Sequence, residues 1–390
     1  MILDKTLGYY TCDGLDFESK IHALQHSTIT HKPVEWNFNR REFGQHNWMV
    51  EPPETLDQLY QRRARQIREQ YDYVIVSFSG GSDSWNIVRA FMDQGLLVDE
   101  IVSNWALDAN SKYIVLDSKQ RDSWNNVAEY HLNCVERIKE IQARSPATKI
   151  TVNDTSRALI DTFLTADDAS WTATKHEVLN PTGATNFNYK YFSEVRKRFD
   201  RDKKIAIVLG QDKPRLIIKD NQLYTYFVDK IMNLISTQDH LVEYPNCHTL
   251  FFYWSPESCD MLAKQAHTIL RLINQNRRLV TVFSTTDADV QRTIQEPMLK
   301  RWLYSTWNTN WFQVHKAQGD WYSNLDYWFS RGWAGTREHA IWQAGIQHVT
   351  SSLDSKYLNK DKNGTVNGTV PFISPYYHIG TVVESPPVTV

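Results

Sequence analysis

The sequence lacks the features that mark several large classes of protein. It has only four cysteines, and no Cys-x-x-Cys pair is among them, which argues against a zinc finger, an iron–sulfur cluster or a dithiol relay. No stretch approaches the roughly 20 apolar residues that span a bilayer, and the N-terminus has no basic region followed by an apolar one. We therefore expect a cytoplasmic protein that does not enter a membrane.

The sequence also lacks an excess of charge of either sign. Lys and Arg total 43 against 45 for Asp and Glu, so no field over the whole protein attracts a polyanion, and nucleic acid is not the default partner. Tryptophan is abundant instead, with 14 residues, which indicates extensive packing surfaces or a site lined by rings. Hydrophobic residues at 41% and charged residues at 23% are typical of a globular chain, and the length suits two or three domains.

Short β-branched apolar runs alternate with helical patterns in the middle of the chain. The predicted strands are 73–78, 98–105, 149–152 and 205–209, and the predicted helices are 84–94, 122–143, 155–164 and 191–199. Strands separated by helices require crossover connections, which are right-handed and build a parallel sheet. The pattern predicts an α/β, doubly wound, Rossmann-like domain.

The flanking segments differ in character from this middle part. Residues 1–70 form an N-terminal extension that ends in an amphipathic helix, and residues 71–237 form the α/β domain. Residues 238–345, with helices expected near 258–274 and 293–304, are predicted to be a mainly helical, aromatic-rich domain. Residues 346–390 contain two Asn-Gly pairs without a helical period, which is typical of a turn-rich tail with a hairpin.

A glycine- and serine-rich loop follows the first predicted strand and opens a helix. It reads Ser79-Gly80-Gly81-Ser82-Asp83-Ser84. The glycines permit a tight turn and close approach to an anion, the serines add hydroxyl donors, and a helix N-terminus favours negative charge. A carboxylate beside a phosphate repels it unless a cation lies between them, so Asp83 predicts a bound Mg²⁺.

This loop resembles the PP-loop of the ATP pyrophosphatase (adenine nucleotide alpha hydrolase-like) superfamily, Ser-Gly-Gly-x-Asp-Ser, and matches it at every fixed position. It is neither a Walker loop nor a Gly-x-Gly-x-x-Gly loop. The resemblance covers about residues 71–227. Within the superfamily, this part of the chain is most similar to the asparagine synthetase-like branch and to uncharacterised PP-loop proteins of phages. It implies that ATP binds with Mg²⁺ at the loop and is cleaved to AMP and pyrophosphate, while an acceptor is activated as an adenylate.

A second candidate group follows the fourth predicted strand, at residues 210–215. The resemblance implies that Gly210 and Asp212 meet the pyrophosphate and its metal, although no Asp-Glu pair follows here. Lys213 and Arg215 stand there instead; they are either catalytic cations that neutralise phosphate charge or part of a solvated basic turn.

The end of the second predicted strand supplies the remaining candidates. The resemblance implies that backbone groups there recognise adenine, so Asn104 and Trp105 are candidates to frame the base. Trp105 is equally well explained as a core residue.

Three functions remain open on this sequence. The preferred one is an adenylating enzyme that forms a C–N bond; because no cysteine follows Met1, nitrogen is expected from ammonia, an amino compound or another subunit. The second hypothesis is a thiolating or sulfonucleotide reductase-like enzyme. The lack of paired cysteines argues against it, and so does the position of the last cysteine, Cys259, far from the C-terminus. A nucleic-acid-binding protein that holds a nucleotide would use the tryptophans and basic residues between 300 and 333 as a stacking surface. The acceptor and the oligomeric state are left open.

Overall fold

The computed structural model describes residues 5–108, 129–165, 171–172, 199, 202–229, 246–287, 290–308, 311, 324–360, 364 and 366–383. The strands are β1 (Tyr9–Cys12), β2 (Leu15–Phe17), β3 (Val34–Asn37), β4 (Tyr73–Ser77), β5 (Glu100–Trp105), β6 (Lys149–Asp154), β7 (Ile205–Leu209), β8 (Arg215–Lys219), β9 (Gln222–Tyr226), β10 (Cys247–Phe251), β11 (Leu358–Lys360), β12 (Val366–Thr369) and β13 (Tyr377–Thr381). The α-helices are α1 (Lys20–Thr30), α2 (Arg40–Gln45), α3 (Leu56–Gln70), α4 (Ser82–Met92), α5 (Val135–Arg144), α6 (Ser156–Thr165), α7 (Cys259–Gln275), α8 (Arg278–Phe283), α9 (Glu296–Leu303), α10 (Asn324–Gly332) and α11 (Arg337–Ser352). None of these helices is both long and apolar enough to cross a lipid bilayer.

A five-stranded sheet with the order β10-β7-β4-β5-β6 lies at the centre, and every neighbouring pair in it is parallel. The apolar centre of β4 and the whole of β7 are buried, as expected for strands covered on both faces. The predicted α/β class is therefore confirmed, and all four predicted strands belong to this sheet. Because the chain leaves β4 towards one edge and returns through β7 towards the other, the strand order reverses between β4 and β7.

The fifth strand, β10, was not predicted. It pairs along its whole length with β7 and lies after residue 237, so the sheet extends beyond the boundary that the sequence suggested. Three of its five residues are only partly buried, as befits an edge strand, and it has no continuous β-branched run.

The helices next to the sheet begin close to their predicted positions. The helix α4 starts at Ser82, two residues before the predicted start, and α6 occupies Ser156–Thr165. The predicted helix 122–143 is represented by a π-helical turn at Tyr130–Cys134 and by α5; its first residues, and almost all of the predicted helix 191–199, lie outside the described residues. Ion pairs from α5 to Asp93 and from Glu140 to α4 hold α4 and α5 side by side.

Segments from both ends of the chain form three smaller sheets. The N-terminal strands pair in the order β2-β1-β3, β11 and β12 form an antiparallel hairpin, and the tail strand β13 joins the β8–β9 hairpin. The expected hairpin in residues 346–390 is thus present, but α11 also runs into this segment as far as Ser352.

One continuous cluster of buried apolar side chains runs from Leu7 to Val382 and includes members from all four predicted segments. Within the described residues, the helices α7 and α9 of the expected aromatic-rich domain pack into this shared core, with α7 against α3 and β13. These two helices of residues 238–345 therefore share one core with the α/β domain.

A buried ion pair joins the two ends of the chain to its middle. The Nζ of Lys20 lies 2.7 Å from the Oδ2 of Asp229, and neither side chain is exposed to solvent. Lys20 also donates to the carbonyl of Val370 at 2.7 Å, while Asp229 accepts from the Tyr10 hydroxyl at 2.9 Å and from the Phe372 N–H at 2.9 Å. The predicted N-terminal extension and tail are thus bound to each other through the interior.

Candidate functional site

The two predicted groups of site residues meet at the point where the strand order reverses. In open parallel sheets, ligands bind beyond the carboxyl ends of the strands at this point. Loop 79–84 follows β4 and turn 210–215 follows β7. The loop and the turn therefore lie on the two sides of the point where the strand order reverses. The contact is close, since a Cβ on Gly210 would lie 3.3 Å from the backbone N of Ser84.

Different features of the backbone account for the two glycines of the loop. Gly80 has a left-handed backbone, φ +75°, and a Cβ there would lie 2.5 Å from the Cα of Cys134 in the π-helical turn. Gly81 is the N-cap of α4 and provides no side-chain cap. The loop can therefore keep this shape only with glycine at position 80.

The first turn of α4 presents backbone donors at this place. The N–H groups of Ser82, Asp83 and Ser84 precede the first helical hydrogen bond, from Trp85 N to Gly81 O at 2.9 Å, and thus have no acceptor within the helix. Ser84 Oγ donates to the Gly81 carbonyl at 3.2 Å and accepts from the Ser79 N–H at 3.3 Å. Ser79 and Ser84 hold the loop, and the helix N-terminus presents donors of the kind that attract an anion.

A buried ammonium lies against this turn. Lys213 Nζ donates to both carboxylate oxygens of Asp83, at 2.8 and 2.6 Å, and its side chain is only 5% exposed. Burial lowers the pKa of Lys213, but the charges of Asp83 and Asp212 outweigh it and raise this pKa above its ordinary value. The amine is therefore charged throughout the physiological range.

The neighbouring residues of the turn are arranged around a second ion pair. Arg215 donates to Asp212 Oδ2 at 3.0 Å, and Lys213 Nζ lies 3.5 Å from Asp212 Oδ1. Burial raises the pKa of Asp212, but Lys213 and Arg215 together hold it below its usual range. Asp212 thus positions both cations, and the turn is not a solvated basic loop.

Buried tyrosines from other parts of the chain complete the surroundings of Asp83. Tyr304 donates to Asp83 Oδ1 at 2.5 Å, and Tyr253 donates to the Asp83 carbonyl at 3.0 Å while accepting from Asn86 at 3.0 Å. Burial, reinforced by the charge of Asp83, raises the pKa of both tyrosines well above 10, so they remain donors. Sequence reasoning missed them because Tyr304 lies 221 residues from Asp83 and carries no local signal.

The first turn of α4 and Lys213 bring positive charge to the loop, and this lysine is paired with Asp83. The free N–H groups of α4 and the ammonium of Lys213 would both attract phosphate oxygens. Both carboxylate oxygens of Asp83 accept from Lys213, so an ammonium of the protein lies beside this carboxylate, and a metal at Asp83 stays a prediction. Within the described residues, no group of three or more His, Cys, Asp or Glu side chains has an arrangement that would hold a metal.

Asn104 and Trp105 are placed on β5, the neighbour of β4. The Asn104 side-chain oxygen accepts from Asn153 on β6 at 2.9 Å. Trp105 is 9% exposed, packs against Tyr130 and donates to Ser103 at 2.7 Å, which makes it a core residue. A role for Asn104 in recognising adenine stays a prediction.

Several tryptophans surround one buried arginine close to the loop. The guanidinium of Arg137 lies 3.9 Å from the ring centre of Trp311 and 4.9 Å from that of Trp307, and burial lowers its pKa to about 10. Arg137 also donates to the carbonyl of Asn133, which lies next to Gly80. These rings support the segment beneath the loop, as the core-packing explanation of the tryptophans expects.

Comparison of the chain with models of known protein families and with curated protein sequences gives no match.

Proposed function

We propose that this protein binds ATP at loop 79–84 and cleaves it between the α- and β-phosphates to activate an acceptor as its adenylate. The observation that carries the proposal is the position of Lys213. This charged residue of turn 210–215 lies against Asp83 in the first turn of α4, at the point where the sheet order reverses. The matching PP-loop sequence supports the same conclusion.

The proposed reaction needs positioning and charge stabilisation more than acid–base groups. An oxygen of the acceptor attacks the α-phosphorus, a new oxygen–phosphorus bond forms, and the bond from that phosphorus to the bridging oxygen breaks. The first turn of α4 would hold the departing pyrophosphate, and Lys213 would offset its growing charge. An amine or ammonia then displaces AMP from the activated acceptor, which gives the C–N bond.

The environment of the cysteines favours this reaction over thiol chemistry. All four cysteines are buried, and burial raises the pKa of the last one, Cys259, to about 12. A thiol of this kind is a poor nucleophile at neutral pH. This weighs against a sulfonucleotide reductase-like or thiolating enzyme.

The packing of Trp307 and Trp311 against each other and against Arg137 argues against a free stacking surface for nucleic acid. A nucleic acid would still be compatible with the role of acceptor.

The test is exchange of labelled pyrophosphate into ATP in the presence of Mg²⁺ and pooled candidate acceptors. Replacing Lys213 by Met should lower exchange about 100-fold or more, since a preorganised group that stabilises developing charge is lost. Lys203→Met, at an exposed lysine, is the matched control and should leave exchange unchanged. Thermal unfolding of both variants separates loss of chemistry from loss of fold.

Two outcomes would contradict the proposal in different ways. If ATP does not bind to the native protein in equilibrium dialysis, the interpretation of loop 79–84 fails. If ATP binds but no pool supports exchange, a protein that holds a nucleotide without cleaving it becomes the better explanation.

A further inference from the structure

Glu129 is a buried acid that sequence reasoning did not single out. It is 7% exposed and immediately precedes the π-helical turn that covers Gly80. Its Oε1 lies 3.4 Å from the position that a Cβ on Gly81 would take, so the carboxylate faces the N-cap of α4. It forms no hydrogen bond or ion pair with any residue that the structure describes.

A carboxylate in this position needs an explanation, because acidic side chains with little exposure are normally paired or coordinate a metal. Arg137 interacts with Glu129 only through the electric field of the carboxylate and is held by Asn133 and the tryptophan rings instead. No N–H of loop 79–84 donates to Glu129, so the residue is not a cap of α4 either. Its charge therefore lacks a direct counter-charge.

Binding of ATP at the loop would bring further negative charge to the same place. A phosphate at the first turn of α4 would lie next to Glu129 and be repelled by it unless a cation separated them. Asp83, the residue expected to hold that cation, is engaged by Lys213 and Tyr304. Mg²⁺ bound with a nucleotide needs only one or two carboxylates, since phosphates and water supply its other ligands.

We propose that Glu129 is the carboxylate that binds the divalent cation accompanying ATP, while Asp83 positions Lys213. This inference rests on the proposed binding of ATP at loop 79–84. It assigns the two acids separate roles: one holds an ammonium that belongs to the protein, and the other receives a metal that arrives with the substrate.

The experiment measures the affinity for α,β-methylene-ATP, a non-hydrolysable analogue, by titration calorimetry with Mg²⁺ and with EDTA. In the native protein we expect Mg²⁺ to strengthen binding about tenfold, a coupling of ordinary size between two ligands. In Glu129→Gln the gain from Mg²⁺ should disappear, while metal-free binding stays equal or becomes tighter because the repulsion is removed. Glu129→Asp keeps the charge and should retain part of the gain.

Glu136→Gln is the matched control. It removes one negative charge seven residues further along the same segment, at an exposed residue that pairs with Lys139 at 2.7 Å. Its dependence on Mg²⁺ should equal that of the native protein. Mn²⁺ in place of Mg²⁺ adds a direct readout, since its paramagnetic resonance signal in the complex should change in Glu129→Gln and not in the control.

The outcomes separate this inference from the function on which it rests. If the native protein binds the analogue and Glu129→Gln keeps the full gain from Mg²⁺, the role of Glu129 is refuted and the proposed function stands. If Asp83→Asn alone removes the gain, the metal belongs to Asp83. If the native protein binds the analogue neither with nor without metal, the proposed function fails and this inference with it.

Discussion

At Gly80 two independent restrictions act on one residue. The backbone is left-handed, and the backbone of Cys134 occupies the space in which a side chain would begin. The first restriction is common to many turns, whereas the second ties the loop to the segment that carries Glu129 and Arg137. The geometry of the candidate site thus depends on a contact between two backbones.

Replacing Gly80 by Ala should therefore cost more than ordinary strain. Gly95 offers the comparison, because its φ is also positive, +68°, but nothing lies within 4 Å of a Cβ placed there. We expect Gly95→Ala to lose about 1–2 kcal/mol of unfolding free energy from strain alone, and Gly80→Ala to lose about 1–3 kcal/mol more from overpacking. Urea unfolding measures both losses. Equal losses would show that the backbone at Cys134 moves away from the new methyl group without a cost in unfolding free energy.

The residues of the site divide into those with a local signal and those without one. Loop 79–84 could be predicted because its glycines, serines and position after a strand are all local, and Lys213 because it follows another predicted strand. Glu129 and Tyr304 could not, because each becomes relevant only through a contact with a distant part of the chain. The engagement of Asp83 by an ammonium was invisible for the same reason.

Three elements meet behind the loop through tyrosines. Tyr60 of α3, Tyr253 after β10 and Tyr304 after α9 are buried, and each pair of ring centres lies 6.0 Å apart. Burial raises the pKa of all three phenols above the ordinary value of 10. These elements therefore pack in this arrangement only while the phenols keep their protons.

This arrangement predicts a loss of stability in alkali. Below pH 10 the folded and unfolded chains both carry the phenol protons, so the contribution is fully present; above pH 10 the unfolded chain releases them first, and stability falls as pH rises. Tyr60→Phe should reduce the slope of unfolding free energy against pH above 10 by about 1.4 kcal/mol per pH unit. The slope is diagnostic, because the lost hydrogen bond to Leu303 lowers stability at every pH. An unchanged slope in urea unfolding between pH 9.5 and 11.5 would contradict the prediction.

The elements that could be predicted are those whose own residues specify them. The strands β4 and β7 are short apolar runs, largely β-branched, β5 and β6 contain shorter β-branched stretches, and α3 and α7 have clear amphipathic periods. The β8–β9 hairpin was missed although Asp220 and Asn221, both with positive φ, form its two-residue turn. The edge strand β10 and the N-terminal strands depend on pairing with distant partners, which no local pattern reveals.

At the scale of the whole molecule, the buried pair of Lys20 and Asp229 links segments that the sequence suggested were separate. An uncompensated buried charge is far more costly than a missing pair. The N-terminal segment, the α/β domain and the tail are therefore expected to unfold together rather than as independent units.

Replacing Lys20 by Met should lower the unfolding free energy by about 3–5 kcal/mol, because Asp229 then keeps a buried charge without its partner. Adding Asp229→Asn removes that charge and should restore part of the loss. Urea unfolding followed by far-ultraviolet dichroism and by tryptophan fluorescence measures both variants, and the two signals should change together. Additive losses in the double variant would argue against this coupling.

The separation in sequence between the members of this network also determines when it can form during protein synthesis. Lys20 is separated by 350 residues from Val370, whose carbonyl it contacts. At a translation rate of about 5–20 residues per second, the ribosome needs about 20–70 s to make the intervening chain. During that time the N-terminal segment has emerged but Lys20 must stay hydrated, so the nascent protein reaches its final packing only once nearly the whole polypeptide has been made.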